Sequence, residues 1–166
     1  MELYFLRHAE AGKRLEIPGM DRERALTAAG REEIERVGKA LAESGYEFDV
    51  IGTSPLKRAK DSASIVGKAL NLKAVIEEWP ELSPEGSRET FYRRLAKLKL
   101  DSMVLCVGHE PYLTSAISEI ISGGTESARI SLKKSGLAKV SVAGFSPRIH
   151  GELRWLLTPK QIRKLA

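Results

Sequence analysis

The chain has 166 residues, 42% apolar and 30% charged, with 27 Lys and Arg against 22 Asp and Glu for a net charge of +5. That length fits one compact domain over residues 1–166, and a chain of this size buries on the order of 70% of its unfolded surface without disulfides or a structural metal. The one cysteine excludes a disulfide framework, and no run of the sequence approaches the roughly 18 apolar residues of a membrane span.

The start, Met1-Glu2-Leu3-Tyr4-Phe5-Leu6-Arg7, has no basic leader and reaches a charge too soon for a signal peptide, so a cytoplasmic protein is expected. Residues 2–6 are β-rich and read as a buried first strand ending at Arg7-His8. Residues 9–26 read as loop, with Gly12, Pro18 and Gly19 breaking any period. A helix opens at Thr27 as N-cap, places Ile34, Val37 and Leu41 on one face, and stops at Gly45. Its basic residues alternate with acidic ones, as in Arg31-Glu32-Glu33-Ile34-Glu35-Arg36, which suits a solvated face and argues against a nucleic-acid partner.

A short strand over 48–53 follows, and Ser54-Pro55 is a helix-opening pair ahead of Ala59, Ala63, Val66 and Leu70 at helical spacing. A third strand is expected over 73–78, then a proline-bearing loop over 79–86 and a helix over 88–99. Residues 102–107 form the most apolar strand segment, with Cys106 buried in it, and Gly108-His109-Glu110-Pro111 turns it into a helix that ends near Gly123-Gly124. Two strands, 137–143 and 151–157, and a short helix from Pro159 complete the chain. Strands alternating with helices predict an α/β domain of three layers, a mostly parallel central sheet flanked by helices, with antiparallel C-terminal strands.

In a parallel sheet, ligands bind outside the carboxyl ends of the strands. Arg7-His8, Ser54-Pro55-Leu56-Lys57-Arg58 and Gly108-His109-Glu110 all occupy such ends, which brings two imidazoles and two guanidiniums to one sheet edge. Guanidiniums bind phosphate oxygens bidentately and stay charged at any working pH, and helix-start N–H groups add to an anion site. A neutral imidazole there can attack phosphorus and carry the phosphoryl group covalently, while a second one, if protonated, stabilises the transferring charge. This chemistry needs no cofactor and no metal. Among the three histidines no pair has metal-ligand spacing. His150, in a turn-rich tail, is expected to be exposed and inert.

Arg7-His8-Ala9-Glu10, Leu26-Thr27-Ala28-Ala29-Gly30, Ser54-Pro55-Leu56-Lys57-Arg58-Ala59 and Val107-Gly108-His109-Glu110, in that order and spacing, resemble the histidine phosphatase (phosphoglycerate mutase-like) superfamily over essentially the whole chain. The small size, the Pro80-Glu81-Leu82-Ser83-Pro84-Glu85-Gly86 loop and Lys134-Ser135-Gly136-Leu137-Ala138 look like the SixA-type phosphohistidine phosphatases. The resemblance implies His8 as nucleophile, Arg7 and Arg58 as phosphate clamps and His109 as transition-state stabiliser; Ser54, just past the second strand, is a further candidate substrate contact. Ala9 stands where glycine is common in the family, and Asp61-Ser62 where many members carry Gln-Thr.

Glu81 is the candidate general acid, which a phosphomonoester substrate would need. A phosphohistidine relaxes that need, because its imidazole leaving group has a conjugate acid of pKa about 6.5. The expectation is therefore a metal-independent phosphohistidine phosphatase acting on a phosphorylated protein domain of the histidine-containing phosphotransfer kind. The alternatives are a small-molecule phosphomonoesterase using the same site with Glu81 as acid, and a phospho-binding module without turnover.

Overall fold

Strand β1 (Glu2–Arg7) lies near the middle of a six-stranded sheet, in the order β3-β2-β4-β1-β5-β6, in a computed structural model that describes residues 1–71 and 75–165. β2 is Val50–Thr53, β3 Val75–Glu78, β4 Met103–Gly108, β5 Leu137–Gly144 and β6 His150–Leu157. β1, β2, β3 and β4 run parallel, while β5 pairs antiparallel with β1 and with β6. The mostly parallel sheet with an antiparallel C-terminal pair is as the alternation of elements predicts.

The unbroken apolar runs of β1 and β4 follow from burial on both faces. Leu3, Phe5, Val104 and Cys106 point to one side, where they meet α4 (Arg88–Leu95) and α5 (Tyr112–Ile121) through Phe91, Leu95, Leu113 and Ile117. Tyr4, Leu6, Leu105 and Val107 point to the other, against α2 (Ala28–Glu43) and α3 (Lys57–Ala69) through Ile34, Val37, Leu41, Ala63 and Val66. Ile162 of the terminal helix α6 (Pro159–Ile162) joins this second layer.

Several expected boundaries hold. Thr27 caps α2 by accepting from the Gly30 N–H at 3.0 Å. Gly45 takes φ +72°, the left-handed conformation that ends a helix and that glycine adopts without a Cβ penalty. Elsewhere the structure differs. The expected loop over 9–26 contains α1 (Pro18–Arg22), a five-residue helix with Pro18 at its first turn. It carries no apolar periodicity because polar bonds hold it. Asp21 accepts from the Leu15 N–H at 2.9 Å and from Arg24 Nε at 2.8 Å.

α3 begins at Lys57, later than the Ser54-Pro55 pair suggests, because the Ser54 hydroxyl is turned to the site described below instead of capping the helix. α4 stops at Leu95 and not at residue 99. Of the expected strand over 73–78, residues 75–78 are strand, and residues 73 and 74 lie outside the described residues. No helix among the described residues is long and apolar enough to cross a membrane.

Candidate active site

β2, β4 and β1 are adjacent and parallel, so their carboxyl ends deliver Ser54, His109 and His8 side by side. The backbone ties them together, with His8 N–H donating to Gly108 O at 3.1 Å and Ser54 N–H to Val107 O at 2.9 Å. The two imidazole rings stand 4.9 Å apart, centroid to centroid, at an angle of 57°. Arg58, in the first turn of α3, reaches over to them.

The state of His8 follows from its partners. Nδ1 lies 2.7 Å from Ala9 O, and a carbonyl only accepts, so Nδ1 carries the hydrogen and Nε2 keeps the lone pair. Arg58 Nε donates to that lone pair at 3.3 Å. Burial, opposed by the Ala9 hydrogen bond and reinforced by Arg58, Arg7 and Arg24, lowers the His8 pKa from 6.5 to about 4. At neutral pH His8 is an uncharged imidazole with a fixed nucleophilic nitrogen.

Arg58 is itself buried and oriented by Asp21, whose backbone carbonyl accepts from Nη1 at 2.9 Å and whose Oδ2 lies at 3.3 Å. Burial opposes the charge of Asp21, but the Leu15 N–H and Arg24 outweigh it and its pKa is lowered. Arg7 gives one Nη1 bond to Leu132 O at 2.9 Å, while its buried Nε has no partner among the described residues. Both guanidiniums therefore keep donors to spare at the wall of one cavity.

His109 is held differently. Its Nε2 lies 2.8 Å from Ser54 Oγ, which also accepts from the Leu56 N–H at 3.3 Å. The Ser54 hydroxyl can accept from Leu56 and give its own hydrogen to Nε2, an arrangement that puts the hydrogen of the neutral ring on Nδ1, a buried atom with no described partner. Burial first, then His8, Arg58, Arg24 and Arg7, take the His109 pKa down to about 2. The protonated form on which charge stabilisation by this second imidazole depends is thus not the resting one, because burial and the cationic neighbours of His109 work against a charge.

Arg7, His8, Arg58 and His109 line a cavity of about 630 Å³, together with Arg14, Leu15, Asp21, Arg22 and Arg24 from the segment around α1. The four expected residues come together. Ser54 does not reach the cavity: it is fully buried and positions His109, so its expected place as a substrate contact is corrected. Glu81 is not among the lining residues either. It sits in a 3-10 turn (Pro80–Leu82), ion-paired with Arg94, whose guanidinium stacks 5.0 Å over the Trp79 ring. His150 is exposed and bonded to Arg148 O, away from the cavity.

Two acidic residues do line the cavity, Glu85 and Glu110. Glu110 directly follows His109. Its Oε2 is 2.6 Å from Thr114 Oγ1, its Oε1 is buried without a partner, and burial raises its pKa against the pull of Thr114 and Arg7. The sequence reading does not single out Glu110, although it is the third residue of the strand-end segment Gly108-His109-Glu110, where the same inspection of strand ends could have found it. Asp21 carried no such signal, because only the tertiary fold lays α1 against Arg58. Among the described residues no group of three or more His, Cys, Asp or Glu side chains is gathered as metal ligands are.

Two buried imidazoles and two guanidiniums at the end of a parallel sheet define a site built for a phosphoryl group. A model of the histidine phosphatase superfamily (branch 1) matches residues 3–83, the half that holds Arg7, His8 and Arg58. The chain is 33% identical over 164 residues to an uncharacterised protein of Picosynechococcus sp., covering 96% of this chain and 98% of that one. A 68-residue stretch, 40% of this chain, is 44% identical to the 2,3-bisphosphoglycerate-dependent phosphoglycerate mutase of Histophilus somni, of which it spans 30%. Among solved structures, the protein histidine phosphatase SixA complexed with tungstate superposes with a TM-score of 0.81 at 25% identity, over 96% of this chain and 98% of that one. The chain belongs to the histidine phosphatase superfamily.

Proposed function

We propose that this protein is a phosphatase that takes a phosphoryl group onto His8 and passes it to water, and that its substrate is phosphohistidine carried on a protein. The nucleophile rests on the hydrogen bond from His8 Nδ1 to Ala9 O, which leaves Nε2 unprotonated at neutral pH beside Arg58. Arg7 and Arg58 hold the phosphate oxygens, and the His109 N–H adds a neutral donor. As the His8 Nε2–P bond forms, the P–N bond to the substrate imidazole breaks, and that ring, already protonated by solvent at its other nitrogen, leaves as neutral imidazole. Water then attacks phosphorus, the P–Nε2 bond breaks, and inorganic phosphate and neutral His8 result. An arriving phosphoryl dianion also offsets the cations that keep His109 neutral, so its proton affinity rises as the charge enters.

The observation that carries the substrate class is the engagement of Glu81 by Arg94 off the cavity wall. Glu81, the loop carboxyl expected to act as the acid, is committed to Arg94, which suits a leaving group of conjugate-acid pKa about 6.5 better than an alkoxide. The likeness to SixA supports the same reading.

A second reading, a phosphomonoesterase, is favoured by Glu110, a cavity carboxyl with a raised pKa. The deciding experiment compares kcat/KM for a phosphohistidine-bearing domain with that for a panel of small phosphomonoesters, each with Glu110→Gln alongside. A ratio well above one, with Glu110→Gln indifferent on phosphohistidine, is expected. A ratio below one, with a large loss for Glu110→Gln on alkyl phosphates, moves the assignment to the second reading.

A further inference from the structure

Three large apolar side chains stand in water within one short stretch: Leu15 is 41% exposed, Ile17 59% and Met20 57%. The same stretch exposes Lys13, Arg14 and Arg22. It is also part of the cavity wall, since Arg14, Leu15 and Arg22 line the space that holds His8 and Arg58. The polar bonds of Asp21 to the Leu15 N–H, Arg24 and Arg58 hold the segment in place, so its fold does not depend on burying these apolar groups. Three large apolar side chains left in water within residues 15–20, on the segment that walls a ligand site, mark a place where something docks.

We propose that Leu15, Ile17 and Met20 form a docking lip for the polypeptide that carries the phosphoryl group, an inference that rests on the protein-borne phosphohistidine proposed above. Ile17 and Met20 stand outside the cavity lining while Leu15 is part of it, so the lip continues from the site onto the outer surface. A small phosphate ester held in the cavity leaves Ile17 and Met20 in water. An object that covers them and also presents a phosphoryl group to His8 must be larger than the cavity and bear that group on its own surface. Phosphohistidine on an amphipathic helix meets both conditions, with apolar neighbours for the lip. Acidic neighbours would face the cationic wall, where Arg7, Arg14, Arg22, Arg24, Arg58 and Lys134 outnumber Glu16, Asp21, Glu85 and Glu110.

The test is the double variant Ile17→Ser/Met20→Ser, which leaves every cavity residue in place, assayed on a phosphohistidine-bearing protein domain and on p-nitrophenyl phosphate. Truncating two contacts that anchor an interface should raise KM for the protein substrate at least about 10-fold with kcat unchanged. Activity on p-nitrophenyl phosphate should stay within about twofold of wild type. Equal effects on both substrates, or none on the protein, overturn the lip. So does a wild-type dimer that the variant dissolves in light scattering, or wild-type binding to anionic vesicles that the variant loses. Failure of the underlying reading shows in the wild type alone, as turnover of p-nitrophenyl phosphate without turnover of the phosphoprotein.

Discussion

A single hydrogen bond sets the chemistry of His8. Because Nδ1 is committed to Ala9 O, the tautomer is fixed and the nucleophilic nitrogen faces Arg58. The lowered pKa means that protonation, which would destroy the nucleophile, sets in only near pH 4. The acid limb of kcat/KM is therefore expected near pH 4, and a limb at 6.5 would show that the imidazole is not desolvated as described. Ser54 is the second residue whose role the structure decides. Ser54→Ala removes the partner of His109 Nε2, and loss of one such buried bond should lower kcat about 10-fold. KM should change little, and the His109 ring nitrogens should shift in 15N NMR. An unaltered kcat would remove Ser54 from the positioning of His109.

At the scale of elements, the start of α2 is tied to the segment that follows His8. Glu10 O accepts from the Thr27 N–H at 2.9 Å, and a Cβ on Gly30 would lie 2.2 Å from that same oxygen. Helix propensity alone makes Gly30→Ala stabilising by up to about 1 kcal/mol. The close approach reverses the sign: backbone meets backbone, neither can rotate away, and overpacking of this kind costs about 1–3 kcal/mol. A lower urea midpoint, with reduced kcat/KM because the His8 segment is pushed aside, is expected. A raised midpoint would mean that α2 shifts without cost. Polar ties likewise explain α1, whose Met20 stays exposed while Asp21 holds the helix to Arg58. Its five residues show no helical period, which is why the sequence reads as loop there.

Over the whole molecule, burying two imidazoles at a sheet edge makes stability depend on pH. Folding lowers the pKa of His8 to about 4 and of His109 to about 2, from 6.5. Above 6.5 the folded and unfolded chains are both neutral at these groups, and no dependence arises. Below 6.5 the unfolded chain takes up protons that the folded chain refuses, so stability falls as the pH is lowered from about 6.5 toward 4, by at most about 1.4 kcal/mol per pH unit for each histidine. Denaturant titrations at pH 7 and pH 5 should show this loss, and the His8→Asn/His109→Asn variant should show much less of it. An equal loss in the variant would place the pH dependence in other groups.

The sequence alone was enough for the layered α/β architecture, because β1 and β4 are apolar on both faces and the helices carry their period openly. It was also enough to gather Arg7, His8, Arg58 and His109, since each lies at the end of a parallel strand or on the turn and helix after it, and topology alone brings such positions together. The side-chain partners were decided by the tertiary structure. Whether Ser54 contacts a substrate or a histidine, whether Glu81 faces the cavity or Arg94, and whether His109 is charged depend on distances between segments far apart in the chain. Those distances fix burial and hydrogen bonding, and these set both the orientation of a side chain and its proton.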